Sequence, residues 1–340
     1  MQPLRKVISK LKLRASYGQV GNANLGGRRF AYLSTITDDY DTLNMYKWGL
    51  DSSYGLTGMA EGEFAVQDLT WEIVNKMNLG VELGFLNGMI DLQLDYFDER
   101  RKDIFMPRES VPMTAGFMKQ PWKNFGKVTN QGVEVSLNVN KQFGKDLFVS
   151  LMGTFTYAHN EITEKDEPSA VVGTNRAETG HPVGQLTGYI AEGLFTEDDF
   201  EDVSTGKLKE GIPTQSFVSK LRPGDIRYRD VNGDGKVDVF DKSPIGGTKD
   251  PEIVYGFGLN MKYKDLDFGA LFQGIGRSWN ILGSSIIPGA NRGVTGNMFT
   301  NANDRWTVDN PSQNVFYPRL DDGINSNNNQ PSTWWLRNKH

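Results

Sequence analysis

The sequence has no cysteine and only three histidines among its 340 residues. The absence of cysteine excludes disulfide bonds, thiolate zinc sites and cysteine nucleophiles. The histidines, His159, His181 and His340, are far apart in the sequence and form no H-E-x-x-H zinc motif. Walker A, G-x-S-x-G and G-x-G-x-x-G motifs are missing as well. We therefore expect that the protein is not an enzyme.

The sequence also lacks any uninterrupted apolar run near the roughly 18 residues that a membrane-spanning helix needs. The net charge of −5 argues against a nucleic-acid partner, because a nucleic-acid surface needs clustered lysine and arginine. No apolar segment follows Met1, so we expect a chain without its own secretion signal, which is either cytoplasmic or an excerpt. The sequence does not exclude a membrane β-barrel, because the strands of such a barrel have one polar face and so lack long apolar runs.

Alternating polarity is clearest over residues 131–160, where two predicted strands meet at the turn 144–146. The odd positions from Val133 to Val139 are apolar, whereas Glu134, Ser136, Asn138 and Asn140 are polar. An alternation with a period of two predicts a strand with two different faces, and the pair predicts a hairpin. Both runs approach the 9–11 residues of a strand that crosses a bilayer.

Five further strands are predicted by the same alternation: 11–20, 72–85, 89–100, 253–263 and 266–273. Asn87-Gly88 is a strong signal for a tight hairpin turn between two of them. The connections alternate between long and short along the whole chain. That alternation favours an outer-membrane barrel over a soluble β-sandwich, because such a barrel has short turns at one rim and long external loops at the other.

The barrel interpretation assigns a face to each type of side chain. We expect one set of polar residues to face a wet interior: Asp91, Gln93, Asp95, Glu134, Asn138 and Asn140. We expect aromatic residues near the strand ends to lie at the membrane interfaces: Tyr17, Phe85, Tyr96, Phe97, Phe143, Phe148, Tyr157 and Tyr263.

One short motif predicts a metal site. Residues 230–241 fit the twelve-position calcium loop D-x-[DN]-x-[DN]-G with an acid at the last position. The predicted Ca²⁺ ligands are Asp230, Asn232, Asp234, Lys236 through its carbonyl, Asp238 through water, and Asp241. Aspartate at the last position is shorter than the usual glutamate, which argues against high affinity. The alternative is a turn held by its own Asx side chains.

Several recognisable stretches are spread over nearly the whole chain: residues 13–22, Leu69-Thr70-Trp71-Glu72 with Asn78-Leu79-Gly80, Asp95-Tyr96-Phe97, Asn130-Gln131-Gly132-Val133-Glu134, His181-Pro182-Val183-Gly184, Gly193-Leu194-Phe195, Pro223-Gly224-Asp225-Ile226, Tyr255-Gly256-Phe257 and Phe272-Gln273-Gly274. In these stretches the sequence resembles the SusC/RagA-like TonB-dependent outer-membrane transporters of Bacteroidetes.

The resemblance implies an all-β fold in which residues 1–340 are part of a 22-stranded antiparallel transmembrane β-barrel with long extracellular loops. It places a long extracellular loop at 161–250, around the calcium-type loop at 230–241. It also implies that the N-terminal plug and the closing C-terminal strands are absent from this chain, since about seven strands cannot close a barrel. The chain is then expected to be a fragment of a longer parent protein.

The resemblance further implies a function and a location. The parent is expected in the bacterial outer membrane, in contact with its lipid, importing a glycan or a peptide-like nutrient. The implied partners are a SusD-like surface lipoprotein and TonB, the latter through the absent N-terminal part. The alternative is a secreted, soluble β-rich binding or adhesion protein with a calcium-stabilised loop.

Aromatic residues of the predicted loops have two open interpretations. They could stack against sugars or form a partner interface, or they could only pack the loops upon themselves. The residues concerned are Tyr32, Tyr40, Tyr46, Trp48, Trp122, Tyr189, Trp279, Trp306, Phe316 and Tyr317.

Overall fold

The structure is a computed structural model and describes residues 7–37, 46–50, 54–56, 59–117, 119–283, 299–321 and 325–339. Over these residues the protein is all-β. Its strands are β1 (Ile8–Asn22), β2 (Ile36–Thr37), β3 (Tyr46–Trp48), β4 (Tyr54–Leu56), β5 (Ala60–Glu61), β6 (Glu72–Phe85), β7 (Ile90–Pro107), β8 (Trp122–Phe143), β9 (Leu147–Glu164), β10 (Gln185–Gly188), β11 (Ala191–Leu194), β12 (Phe200–Asp202), β13 (Lys207–Leu208), β14 (Thr214–Gln215), β15 (Ile226–Tyr228), β16 (Lys236–Val237), β17 (Ser243–Thr248), β18 (Ile253–Tyr263), β19 (Leu266–Gly276), β20 (Ser278–Ile281) and β21 (Leu336–Lys339).

Helix is confined to four short 3-10 turns in these residues: Met113–Ala115, Glu197–Asp199, Val239–Asp241 and Thr300–Asn303. None of the helices described is long and apolar enough to cross a membrane. The predicted all-β class is confirmed.

The main sheet has seven strands in the order β1-β6-β7-β8-β9-β18-β19. The pairings from β1 to β9 are all antiparallel between neighbours in the sheet. The seven predicted strands are all present, and β6 and β18 have the predicted bounds. Asn87 and Gly88 both have positive φ, of 58° and 84°, which is the backbone conformation that a tight turn of this sequence predicts. This sheet belongs to the first of two compact units, which consists of Met1–Val172, Ala177–His181 and Tyr255–Gln273.

Several strands extend beyond the predicted bounds. β7 continues to Pro107 and β8 begins at Trp122, so the predicted loop from about 101 to 130 shrinks to 108–121. β9 continues to Glu164, so the long excursion predicted at 161–250 instead spans 165–252, up to the start of β18. The reason is that ladder hydrogen bonds continue past the point where the alternation of side chains ends, with a bulge in the β7–β8 pairing between Arg101 and Phe105.

The two faces of the main sheet differ as predicted. Asp91 pairs with Asn138, and Asp95 pairs with Glu134, so the predicted polar set shares one face, here called the polar face. The opposite, apolar face exposes large hydrophobic side chains, among them Leu13 at 73% and Tyr17 at 76%. On β6 this apolar band runs from Met77 to Phe85, about 27 Å along the strand and about 20 Å deep at a tilt near 40°. That depth approaches the apolar band of an outer-membrane barrel, which is about 25 Å tall.

Two of the predicted interfacial aromatic residues lie on the wrong face. Phe97 shares the polar face with Asp95, and its ring lies over Gly132, where an added Cβ would come 2.4 Å from the ring. Phe148 pairs with Gln142 and therefore also lies on the polar face. The prediction was wrong for both because it used proximity to a strand end and ignored which face each position occupies.

The second compact unit consists of Gly173–Arg176, Pro182–Val254 and Gly274–His340. Its strands form small two-stranded ribbons: β10–β17, β11–β15, β12–β13, β14–β16 and β20–β21. A cluster of buried hydrophobic residues holds the described part of this unit together: Tyr189, Leu194, Ile226, Tyr228, Val237, Trp306, Tyr317 and Trp335. The segment after residue 280, which has no period in the sequence, therefore contributes to a core.

Candidate functional site

The calcium-type loop lies in the second unit and contains β16 and the 3-10 turn Val239–Asp241. Gly233 and Gly235 both have positive φ, of 75° and 84°. A side chain is strained in that backbone conformation, so glycine is required for the tight path of the loop. The loop therefore has the backbone turn that its sequence motif predicts.

The first half of the loop is held by side chains that accept backbone hydrogen bonds. The two carboxylate oxygens of Asp230 accept from the amides of Gly233 and Gly235, each at 2.7 Å. Oδ1 of Asn232 accepts from the amide of Asp234 at 3.0 Å, and Oδ1 of Asp234 accepts from the amide of Lys236 at 2.9 Å. Each bond fixes one corner of the turn, as short polar side chains do in Asx turns.

The second half is organised by Asp241, which is fully buried. Its carboxylate accepts hydrogen bonds from the amides of Val231 and Asp238, each at 2.7 Å, and so joins the two ends of the loop. Asp238 accepts from the amide of Phe240 at 2.9 Å and from Nζ of Lys236 at 3.1 Å. These two hydrogen bonds hold the pKa of Asp238 below its usual range.

The six predicted ligands are thus in one loop, but the side-chain oxygens of its Asp and Asn residues accept hydrogen bonds from backbone amides, from the side chain of Asn232 and from Lys236. Within the described ranges, no group of three or more acidic or histidine side chains is placed to hold a metal ion. The arrangement corresponds to the alternative of a turn held by its own side chains. Binding of Ca²⁺ by Asp230, Asn232, Asp234, Lys236, Asp238 and Asp241 stays a prediction.

Tyr189 is a core residue whose pKa is affected by the carboxylates of this loop. Burial raises the pKa of its hydroxyl to about 12, and the charges of Asp238 and Asp241 act in the same direction. The ring packs against Phe217 and Tyr228, with centroids 4.8 and 5.5 Å away. Tyr189 is therefore a neutral packing residue at neutral pH.

A buried polar cluster, which the sequence analysis did not predict, lies in the same unit. Oδ1 of Asp225 accepts hydrogen bonds from Asn325 at 2.9 Å and Asn328 at 3.0 Å, and Nη2 of Arg319 lies 3.1 Å away. Asp225 has no exposed surface, and burial raises its pKa, although Arg319 opposes the shift. The cluster joins residues about 100 positions apart, so no local sequence pattern predicts it. The only signal was the run Pro223-Gly224-Asp225-Ile226.

The loop aromatic residues mostly favour the packing interpretation. Tyr189, Trp306 and Tyr317 are buried in the core of the second unit, so they cannot stack against a ligand. Trp122 is half-buried, and the guanidinium of Arg28 covers its ring at 4.1 Å from the centroid. Tyr32 is 58% exposed and keeps both interpretations open. Trp279 and Phe316 are partly buried, whereas Tyr40 and the side chains of Tyr46 and Trp48 lie outside the described residues.

The polar face of the main sheet carries a chain of ion pairs across three strands. Glu82 on β6 contacts Lys10, Lys12 and Arg14 of β1, with nitrogen to oxygen distances of 2.7, 3.2 and 3.0 Å. Arg14 also contacts Asp95 on β7 at 2.9 Å. This face of the sheet is therefore polar and charged, whereas the opposite face of the same strands is apolar.

Comparison with known proteins agrees with this two-faced sheet. A family model described as TonB dependent receptor-like, beta-barrel, matches residues 4–247. The chain is 27% identical to TonB-dependent receptor P26 of Formosa agariphila over 322 residues, which cover 92% of this chain and 30% of that protein. It is 29% identical to TonB-dependent receptor SusC of Bacteroides thetaiotaomicron over 269 residues, which cover 77% of this chain and 24% of that protein.

The fold agrees as well. The structure is similar to a solved structure of the RagAB peptide transporter, with a TM-score of 0.66 and 23% identity. The similarity covers 98% of this chain and 33% of that chain. The chain thus spans between about a quarter and a third of the length of these relatives. With the family model matching well over half of it, this chain belongs to the TonB-dependent receptor β-barrel family and forms part of the barrel of an outer-membrane protein.

Proposed function

We propose that the parent protein is a SusC/RagA-like TonB-dependent transporter that imports nutrient oligomers across the outer membrane. The observation that carries this proposal is the main sheet, which has a charged face on β1, β6 and β7 and an exposed apolar face on the reverse side of the same strands. In a closed barrel, the charged face lines a passage for polar molecules and the apolar face contacts lipid.

The cargo that we propose is an oligosaccharide or a peptide. The similarity to the RagAB peptide transporter supports a peptide, and the similarity to SusC supports membership of the same group of transporters. Tyr32 is exposed and is available for stacking against a sugar or an aromatic side chain. The burial of Tyr189, Trp306 and Tyr317 removes three other candidates from the cargo site.

We propose two protein partners. A SusD-like surface lipoprotein would close over the long external connections, which include residues 108–121 and 165–252. TonB would supply energy through the N-terminal part of the parent. The presence of RagAB among the similar structures supports a two-protein assembly.

The alternative of a secreted, soluble binding or adhesion protein is less favoured. A soluble sheet covers its apolar face with a second layer, because contiguous exposed apolar patches are small on soluble proteins. On the main sheet the apolar face is broadly exposed, as Leu13, Tyr17, Phe257 and Phe268 illustrate.

Deletion of the parent gene tests the proposal, with uptake of fluorescent oligosaccharides and fluorescent oligopeptides measured in separate assays. We expect one cargo class to be lost, and we expect loss of TonB to have the same effect. The control is a strain complemented with the intact gene. Unchanged uptake of both classes, together with extraction of the parent without detergent, would leave the secreted binding protein as the better interpretation.

A further inference from the structure

The long connection between β1 and β6 presents two exposed aromatic side chains beside each other. Phe30 is 64% exposed and Tyr32 is 58% exposed. Their ring centroids are 6.2 Å apart, and the two rings are nearly perpendicular, at 83°. The connection starts after Asn22 and ends before Glu72, which pair with each other at the end of the sheet opposite the Asn87-Gly88 turn. The two rings, here called the aromatic pair, therefore belong to the rim that carries the long connections.

The backbone at the aromatic pair is strained in a way that keeps both rings exposed. Phe30 has a φ of 56°, in the left-handed region that large side chains rarely adopt. In this turn Ala31 lines the interior beside Phe64 and Trp122, whereas the two large rings on either side of it are exposed. Burial alone favours the opposite arrangement, because a buried aromatic ring contributes far more than a buried alanine. Strain of this kind is typical of ligand-binding positions.

The turn is also fixed by backbone hydrogen bonds. The carbonyl of Phe30 accepts from the amide of Leu33 at 2.8 Å, and the carbonyl of Ala31 accepts from the amide of Val66 at 2.9 Å. Val66 is itself buried, at 7% exposure. A ligand that contacts the aromatic pair therefore does not have to order the turn first, which lowers the entropic cost of binding.

The charged side chains that support the turn are engaged with one another. The carboxylate of Glu63 contacts Arg28 and lies 3.2 Å from Nζ of Lys119. The guanidinium of Arg28 lies over the ring of Trp122, at 4.1 Å from the centroid. Arg29 differs from them, because it is exposed and belongs to no ion pair within the described ranges. The chain next to the aromatic pair thus offers one positive charge for a carboxylate.

We propose that the aromatic pair binds an aromatic side chain of a peptide cargo, with a carboxylate of the same peptide at Arg29. This inference rests on the proposed transport function and specifies the cargo class. Two perpendicular rings present one face and one edge, and a third aromatic ring can meet both with favourable electrostatics, because ring faces are negative and ring edges positive. A neutral sugar gains nothing from the charge of Arg29.

The size of the surface favours a single side chain over a protein partner. At the exposures of Phe30 and Tyr32, the two rings together expose about 250 Å². Each partner in a stable protein interface buries about 800 Å². The aromatic pair therefore fits one side chain of a ligand.

The test uses the full-length parent purified in detergent and two labelled pentapeptides with a free C-terminal carboxylate. The peptides differ only in the residue before the C-terminus, which is phenylalanine in one and glycine in the other. We expect the phenylalanine peptide to bind about tenfold more tightly, because only its side chain contacts the aromatic pair. Maltohexaose, a neutral oligosaccharide, should not displace it.

Phe30→Gly separates a binding role from a packing role. Glycine adopts positive φ without strain, so this variant should keep the melting temperature of the unaltered protein or exceed it. It should nevertheless bind the phenylalanine peptide about tenfold more weakly and the glycine peptide equally well. Tyr32→Ala should also weaken binding of the phenylalanine peptide. The control is Phe143→Ala, which removes a ring of 50% exposure at the short-turn rim and should leave both affinities unchanged.

Three results would overturn the proposal. They are equal affinity of the unaltered protein for the two peptides, equal affinity of Phe30→Gly and the unaltered protein for the phenylalanine peptide, and displacement of that peptide by maltohexaose. Loss of a copurifying lipoprotein in Phe30→Gly, with unchanged peptide affinity, would assign the aromatic pair to a partner interface. Unchanged uptake of oligopeptides and oligosaccharides after deletion of the parent gene contradicts the transport function itself, so the two failures are distinguishable.

Discussion

Arg14 on β1 reaches across β6 to Asp95 on β7, with Nη2 2.9 Å from both carboxylate oxygens. Gly80 is the residue that it crosses, because Arg14 pairs with Gly80 and Gly80 pairs with Asp95. A Cβ at Gly80 would lie 2.5 Å from Oδ1 of Asp95 and 3.0 Å from Nη2 of Arg14. A glycine at this position is therefore a condition for the ion pair.

Gly80→Val should separate Arg14 from Asp95 and leave Asp95, which is 7% exposed, without its cation. We expect a destabilisation of about 1–3 kcal/mol, the usual effect of overpacking a fitted site. Thermal loss of the heat-modifiable band on SDS gels measures it in the full-length parent. Gly18→Val is the matched control, because no atom lies within 4 Å of a Cβ at Gly18. Equal melting of the two variants would contradict the expectation.

A second contact joins the β7–β8 loop to the chain that follows β9. Asp166 accepts hydrogen bonds from the amide of Ser110 at 3.0 Å and from its hydroxyl at 2.9 Å. Nε of Arg108 lies 3.1 Å from the same carboxylate. Asp166→Asn should weaken this contact by about 2 kcal/mol, because hydrogen bonds to a charged group contribute about 1.5–3 kcal/mol. Faster amide exchange at Ser110 measures the loss, and Glu167→Gln is a control at the next residue.

The same contact should depend on pH. Burial raises the pKa of Asp166, but the hydrogen bonds from Arg108 and Ser110 outweigh it and hold the pKa below its usual range. A depressed carboxyl pKa stabilises the folded state above the unfolded pKa of about 3.9 and loses that effect as pH falls through the folded pKa. The protection of the Ser110 amide, measured as its exchange rate relative to the intrinsic rate at each pH, should therefore fall below about pH 4 in the unaltered protein. The Asp166→Asn variant should lack this pH-dependent step, and its presence there would assign it to another group.

The sequence predicts the strands well where alternation and turn residues agree. β6 and β18 have the predicted bounds because an uninterrupted alternation ends at Asn87-Gly88 in one case and at Lys264-Asp265 in the other. β8 begins at Trp122, ahead of any alternating pattern, because its first residues are fixed by hydrogen bonds to β7. Backbone pairing depends on the neighbouring strand, so the side-chain pattern of one strand alone does not predict where the pairing ends.

The second unit shows where sequence reasoning stops. Asn327 and Ser332 are fully buried, although both residue types usually indicate an exposed loop. The burial of Asn327 is possible because partners distant in sequence satisfy its side-chain amide, such as Gln215, whose side-chain amide donates to Asn327 at 2.8 Å. Such long-range partners are visible only in the folded chain. Binding of Ca²⁺ by the motif at 230–241 stays a prediction.

Asp225 provides a test of that long-range network. Asp225→Ala removes the shared acceptor of Arg319, Asn325 and Asn328 and leaves Arg319 largely buried without its main partner. We expect a loss of about 3–5 kcal/mol, the usual cost of breaking a buried ion pair from one side. Limited proteolysis within residues 182–254 measures it. Asp321→Ala is the control, because that carboxylate is a more exposed contact of Arg319 at 2.9 Å and its loss should cost below about 1 kcal/mol.

The calcium prediction can be tested through Lys236, whose ammonium group competes with the metal for Asp238. Asp238 accepts a hydrogen bond from Nζ of Lys236 at 3.1 Å, whereas Lys236 is predicted to contribute only its backbone carbonyl to Ca²⁺. Lys236→Ala keeps that carbonyl and removes the competing ammonium. Calcium affinity should therefore rise about two- to fivefold, because an exposed ion pair contributes little and its removal frees one carboxylate oxygen.

Calcium titration followed by the melting temperature of the full-length parent measures this change. Occupancy at 100 times the dissociation constant should stabilise the loop by about 2.7 kcal/mol, and a chelator should reverse the effect. Asp234→Ser should abolish the calcium response, whereas Asp198→Ser, an exposed acid of the same unit outside the loop, should leave it intact. No calcium response in the unaltered protein would mean that residues 230–241 are held by their own hydrogen bonds alone. A response that persists in Asp234→Ser would place the calcium site outside this loop.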